Sequence, residues 1–182
     1  MSARPPAVSG LFYPGDPAEL ERMVSAYLAD ARPNGSTPVA LIAPHAGYVY
    51  SGPVAASGYA TVRRTIERVV LLGPAHRYPL RGLAAHSADH FLTPLGPIPV
   101  HTPELPHTST LDAAHAGEHS LEVHLPFLQV ALGDFTLTPL VVGVAKPKEV
   151  ADVLEQLWGG PETLVVISSD LSHFHDYDTA VR

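Results

Sequence analysis

Val69-Val70-Leu71-Leu72-Gly73-Pro74-Ala75-His76 is an unbroken apolar run that stops at a histidine, and two other stretches repeat the pattern. Val39-Ala40-Leu41-Ile42-Ala43-Pro44 runs into His45, and Leu164-Val165-Val166-Ile167-Ser168-Ser169-Asp170-Leu171-Ser172 runs into His173. Short Val/Ile/Leu runs separated by helical patterns read as buried parallel strands. In an open α/β sheet, ligands bind at the edge formed by the strands' carboxyl ends. If the three runs are neighbours, their imidazoles meet at one spot, an arrangement suited to a transition metal or to general acid–base chemistry.

Working outward, Asp16-Pro17 opens a helix over Pro17 to Ala31, with Leu20, Val24, Tyr27 and Leu28 on one face. Pro33-Asn34-Gly35-Ser36 reads as a turn into the first strand. A second helix is expected over roughly Pro53 to Thr65, directly before the second strand, and this β-α-β order implies a parallel pair with a right-handed crossover. From Gly82 to His107 the pattern breaks into short, proline-rich pieces that suit an edge strand or hairpin, followed by a loop to about His115. Glu118 to Leu132 reads as a helix with Leu121, Leu125, Leu128 and Leu132 as its stripe and a bend or break at Pro126. A strand over Phe135 to Val142, a helix over Lys148 to Trp158 and a last strand over Thr163 to Ser169 complete the pattern. No helix follows to cover that last strand, so either poor solubility or a partner that supplies the missing cover is expected, with a homo-oligomer among the candidate assemblies.

At 182 residues the chain suits one domain with a sizeable core, residues 1–182 being read as a single unit. No apolar stretch approaches the roughly 20 residues needed to cross a bilayer, and MSARPPAVSG lacks an apolar signal core, so a cytoplasmic protein is expected. Cysteine is absent, which leaves His, Asp and Glu as the ligands for any metal. A formal charge of −7, with no Lys/Arg cluster, argues against a nucleic-acid surface.

Each motif carries two readings. His45 in Pro44-His45-Ala46-Gly47-Tyr48 is either a strand-end ligand, with Gly47 admitting a tight turn, or a ring that ties down its own loop. His76 repeats that geometry, but two imidazoles alone make a labile site and call for a further donor. Asp170 could ligate or hold an imidazole in one tautomer, and His173 could act as a general base; alternatively Asp170 caps the turn and His173 and His175 are solvated. In Glu118-His119-Ser120-Leu121-Glu122 the two carboxylates fall one helical turn apart with His119 displaced by about 100°, and Glu118 equally fits the dipole of a helix start. His124 reads as surface or helix packing, and His86, His90, His101, His107 and His115 carry no functional reading. Gly-x-Ser-x-Gly, Gly-x-Gly-x-x-Gly, a P-loop and His-Glu-x-x-His do not occur.

Together these segments resemble the Memo family, known in prokaryotes as AmmeMemoRadiSam system protein B. The likeness rests on Pro6-Ala7-Val8-Ser9-Gly10-Leu11-Phe12-Tyr13-Pro14, on Ala43 to Gly52 and on Leu72-Gly73-Pro74-Ala75-His76. It continues through Thr93-Pro94-Leu95-Gly96, Glu118 to Pro126 and Ser168 to His173, in family order across essentially the whole chain. The resemblance implies a fold like that of class III extradiol dioxygenases, a central, mostly parallel sheet with helices on both faces. It implies His45 and His76 as metal ligands, His173 as the catalytic histidine with Asp170 beside it, and Glu118 and His119 bordering the same pocket. Family members continue well beyond this length, and a cysteine there completes the metal site. The resemblance therefore implies a C-terminally truncated domain whose third ligand is missing, with Asp170 or an external donor as substitute.

The function that follows is a non-haem iron or copper site with dioxygenase-like redox activity, acting on a small molecule with vicinal oxygens. A second reading is a non-catalytic protein whose pocket takes a peptide or partner, with Ammecr-type and radical-enzyme partners implied by the resemblance. Phe12, Tyr13, Tyr48 and Tyr50 would serve either a ring substrate or a peptide, and Tyr48 is expected in the pocket. A third reading places zinc at the same histidines in a hydrolase.

Overall fold

The computed structural model describes residues 2–33 and 37–182, so the expected turn at Asn34-Gly35-Ser36 lies outside the described residues. In chain order the elements are β1 (Ala3–Arg4), α1 (Pro17–Asp30), β2 (Ala40–Ala43), α2 (Tyr48–Tyr59), β3 (Arg68–Pro74) and β4 (Leu83–Ala85). There follow β5 (His90–Thr93), β6 (Gly96–Pro99), β7 (Thr108–Thr110), α3 (Asp112–His115), a 3₁₀ turn over Glu122–His124 and α4 (Leu125–Leu132). The last elements are β8 (Thr136–Val142), α5 (Pro147–Leu157), β9 (Thr163–Ser168) and α6 (Tyr177–Ala180).

The main sheet has the order β2-β9-β3-β8-β4-β7. Its four strands from β2 to β8 are parallel, and β4 runs antiparallel to β8. Alternation along β3 divides the core into two layers. Val69 and Leu71 face the layer shared with Leu20 of α1, Tyr59 of α2 and Leu128 of α4. Val70 and Leu72 face the thinner layer under Val153 of α5. Helices thus cover both faces of a mostly parallel α/β sheet, as expected. No helix of the described residues is long and apolar enough to cross a membrane.

The last strand is not left bare. β9 lies between β2 and β3, paired on both sides and with Leu164, Val165 and Val166 buried, so the parallel end of the sheet is rimmed by β2, where Ile42 is 61% exposed. Chain order places β9 last, but pairing inserts it at the middle of the parallel strands, and an uncovered final strand is therefore not found.

α1 starts as expected, with Asp16 Oδ1 accepting from the Glu19 N–H at 2.8 Å and Pro17 at the first turn. α2 begins five residues earlier than expected and carries Pro53 inside it. Pro53 and Val49, whose carbonyl loses its helical partner there, are both exposed, so water can satisfy that group. The proline-rich stretch does form a hairpin, β5 with β6, and Pro97 and Pro99 lie on the edge strand of a small sheet ordered β1-β5-β6. The loop expected to reach His115 contains β7, a short polar edge strand, and α3.

The expected helix over Glu118 to Leu132 is regular only from Leu125, after the 3₁₀ turn. Leu121, Leu125, Leu128 and Leu132 are all buried as the stripe required. Glu118 and Glu122 do not share a helix face. Glu122 is fully buried and accepts from Arg4 Nη1 (2.8 Å), the Ala7 and Val8 N–H groups (2.7 and 2.9 Å) and the Tyr13 hydroxyl (2.7 Å). Arg4 Nη2 donates onward to the carbonyls of His115 and Glu118, both at 2.9 Å. This buried pair straps the N-terminal segment across the turn that carries Glu118 and His119.

Candidate metal centre

His45 leaves the end of β2, and His76 lies two residues past the end of β3. β9 separates those strands, so the two rings meet across its end with centroids 5.1 Å apart. His119 arrives from the turn before the 3₁₀ segment and stacks on His76 at 4.5 Å, with His45 at 5.6 Å. One donor atom from each of His45, His76 and His119 lies within 4.8 Å of the others, so the three could hold a metal ion. Where the sequence suggested that a third donor was lacking, the fold brings His119 into the group. The resemblance implies His119 only at the border of the pocket, whereas the fold makes it the third imidazole.

Gly73 makes that approach feasible. A Cβ there would lie 2.8 Å from Leu121 Cδ2 and 2.8 Å from Ser120 Oγ, so the turn could not press onto β3. The Ser120 hydroxyl, donating to the Pro74 carbonyl at 2.8 Å, fastens the turn to the strand end. Gly47, by contrast, has φ −57°, which any residue can adopt, so the expected need for glycine there is not met.

Hydrogen bonds set the tautomers of two rings. The Ser168 hydroxyl donates its one hydrogen to the Ser120 carbonyl at 2.6 Å. Its contact with His45 Nδ1, also 2.6 Å, therefore has the imidazole as donor, which leaves Nε2 with a free lone pair. Glu118 acts likewise on His76. Its Oε1 accepts from His76 Nδ1 at 2.9 Å and Oε2 from the His76 N–H at 2.6 Å, while Oε1 also receives the His119 and Ser120 N–H groups at 2.9 Å. Burial pushes the Glu118 carboxyl up, but these bonds to His76 and Ser120 outweigh it and hold the pKa at about 2. An ionised Glu118 only accepts, so in the neutral His76 ring Nδ1 carries the hydrogen and Nε2 the lone pair.

His119 Nδ1 is buried without a hydrogen-bond partner, and the ring packs against Phe12 at 4.7 Å. Burial pushes the pKa of His45 and His119 down, favouring neutral imidazoles that can ligate. Asp170 faces this group. Its Oδ1 accepts from the His45 N–H at 2.6 Å, and Oδ2 lies 3.6 Å from His45 Nε2. At that distance the carboxylate oxygen and the imidazole nitrogen are near enough to share one cation. The residues therefore fit a divalent metal by donor type, by tautomer and by the approach of three imidazole donors to within 4.8 Å.

His173 lines the same cleft of about 430 Å³ but stands outside the three-imidazole group, and it is exposed. Its Nδ1 donates to the Leu171 carbonyl at 2.8 Å, which leaves Nε2 free toward solvent or ligand. Tyr48 is not in the cleft. It is buried in the core, and its hydroxyl donates to the Val123 carbonyl at 2.7 Å. Tyr13 is likewise buried and bound to Glu122, while Tyr50 is 82% exposed, so of the four aromatic residues only Phe12 touches the imidazoles.

The remaining buried histidines bind within the fold. His115 Nε2 donates to the Ala84 carbonyl at 3.0 Å, His86 Nδ1 accepts from the Ala88 N–H at 2.9 Å, and His124 pairs with the Tyr59 hydroxyl at 2.7 Å. Ser168 is the site residue that sequence reasoning missed. Only its place at the end of a strand flanked by the other two histidine-bearing strands could have indicated it.

An open, mostly parallel α/β sheet with three imidazoles gathered at its strand ends defines an α/β protein with a candidate metal centre. A family model described as Memo-like protein matches residues 4–181. A MEMO1 family protein of Thermotoga petrophila is 36% identical over 203 aligned residues, taking in 98% of this chain and 73% of the relative. Another, from Aquifex aeolicus, is 36% identical over 184 residues (96% and 68%), and one from Ignicoccus hospitalis is 35% identical over 209 residues (100% and 73%). The chain belongs to the Memo family.

Proposed function

We propose that His45, His76 and His119 bind a divalent transition metal, iron or copper, and that the centre carries out dioxygenase-like redox chemistry on a small ligand with vicinal oxygens. The observation that carries this reading is the pair of locked tautomers beside a third imidazole: Ser168 and Glu118 each accept a hydrogen bond from an Nδ1–H, so neutral His45 and His76 present Nε2 lone pairs, and one donor atom of His119 lies within 4.8 Å of one from each. Imidazole with carboxylate suits iron, copper and zinc better than magnesium or calcium. A bound redox metal would supply Lewis acidity and electrons for oxygen chemistry. Asp170 balances the charge and orients His45 through its backbone N–H. His173 Nε2, on the open side of the cleft, accepts the proton of an entering hydroxyl. Phe12 closes the wall behind His119.

Oxygen uptake by iron-loaded and copper-loaded protein in the presence of catechol tests this function. Uptake that requires catechol and disappears in His45→Ala is the expected result. A stoichiometric metal without oxygen uptake would replace it with the reading of a peptide- or partner-binding pocket, Ammecr-type and radical-enzyme partners included. Three imidazoles are also a zinc set, so zinc content with ester hydrolysis would favour the hydrolase.

A further inference from the structure

A second cavity, of about 390 Å³, adjoins the metal cleft, and Pro74 and Ser169 line both. It lies on the α5 side of the sheet, between the ends of β3, β8 and β9 and the first turn of that helix. Leu72, Val142, Val150 and Ile167 form its walls, and no charged side chain lines it. The one buried hydroxyl it reaches, Ser168, is already engaged with His45 and Ser120 and has no hydrogen left to offer. The space opens to solvent, and its aliphatic walls suit an apolar group, as a smaller cavity of roughly 150 Å³ lined by aliphatic side chains accepts a benzene ring. The two spaces therefore differ in their charged and imidazole groups: four histidines and Asp170 line the metal cleft, and none of either kind lines the α5 side.

We propose that this cavity receives the apolar portion of the ligand whose oxygens face His45, His76 and His119. The ligand class is then a compact aryl or branched-alkyl compound with a bidentate oxygen head. This inference rests on the metal reading above, since it takes the imidazole cleft as the head-group site. Pro74 is the step over which head and body connect.

Two hydroxamates with the same oxygen head separate the possibilities, with binding read from the visible spectrum of the cobalt-loaded chain. Benzohydroxamate should bind at least about tenfold tighter than acetohydroxamate, because its ring replaces a methyl group in an apolar site. Val150→Trp, which fills the cavity from the surface of α5, should abolish that preference while leaving cobalt and acetohydroxamate affinity unchanged. Equal affinities in the wild type, or a preference that survives Val150→Trp, would overturn the pocket and leave the metal reading standing. Should the chain take up no cobalt, the metal reading fails. The cavity is then judged separately by titrating toluene into the metal-free chain and following the Leu72 and Ile167 methyl resonances. Shifts removed by Val150→Trp support the cavity, and unshifted methyls overturn it.

Discussion

Ser168 decides which nitrogen of His45 is free, because a hydroxyl with one hydrogen cannot donate to both the Ser120 carbonyl and the imidazole. Ser168→Ala should therefore weaken metal binding about 10- to 100-fold, the usual cost of losing an outer partner of a ligating histidine, and a metal titration with circular dichroism of the same sample checks it. Ser168→Thr, which keeps the hydroxyl, should restore most of the affinity. The buried histidines His115 and His124 contribute to the pH dependence of folding. Burial pushes His115 down to about 4 and His124 to about 3, while unfolded histidine titrates near 6.5. Between those values the unfolded chain binds more protons than the folded one, so their stabilising effect is complete above about pH 6.5 and is lost as pH falls toward 4. Urea unfolding at pH 5 should give a stability about 2–4 kcal/mol below that at pH 7.5, and His115→Gln should reduce that difference.

The turn from Glu118 to Leu121 is the element on which the centre depends, and two contacts fix it. One is its seating on Gly73. Gly73→Val should cost about 1–3 kcal/mol through overpacking, and it should weaken metal binding as well, because the turn that carries His119 must move outward. The other is the Arg4–Glu122 pair, 4% and 0% exposed. Arg4→Met leaves the Glu122 carboxylate buried without its cation, and urea denaturation should show a loss of about 3–5 kcal/mol. This turn was also the hardest part to read from residues. Helical spacing put His119 about 100° away from Glu118, but the bonds that break the helix there run from Glu118 to His76 and from Ser120 to Pro74, partners more than 40 residues distant. No local pattern records them. α1 and α5, whose starts are marked by Asp16-Pro17 and Pro147, and β3, β8 and β9, whose apolar runs are continuous, came within a residue or two of their expected limits for the opposite reason: their signals are local.

The fold brings three chain-distant histidines together by strand order and by one turn packed on the strand ends. β9 inserts between β2 and β3, so the ends that carry His45 and His76 flank Ser168 and Asp170, and the Glu118 turn closes over them. The sequence marked the two strand-end histidines by their repeated setting, while the strand order that unites them, and the entry of His119, depended on pairings between distant segments. The most direct test is a titration of the metal-free chain with ferrous iron, anaerobically, for wild type and for His45→Ala, His76→Ala and His119→Ala. One ion per chain is predicted, with each substitution weakening binding by at least tenfold, about 1.4 kcal/mol. Undiminished affinity in His119→Ala would contradict the three-imidazole centre.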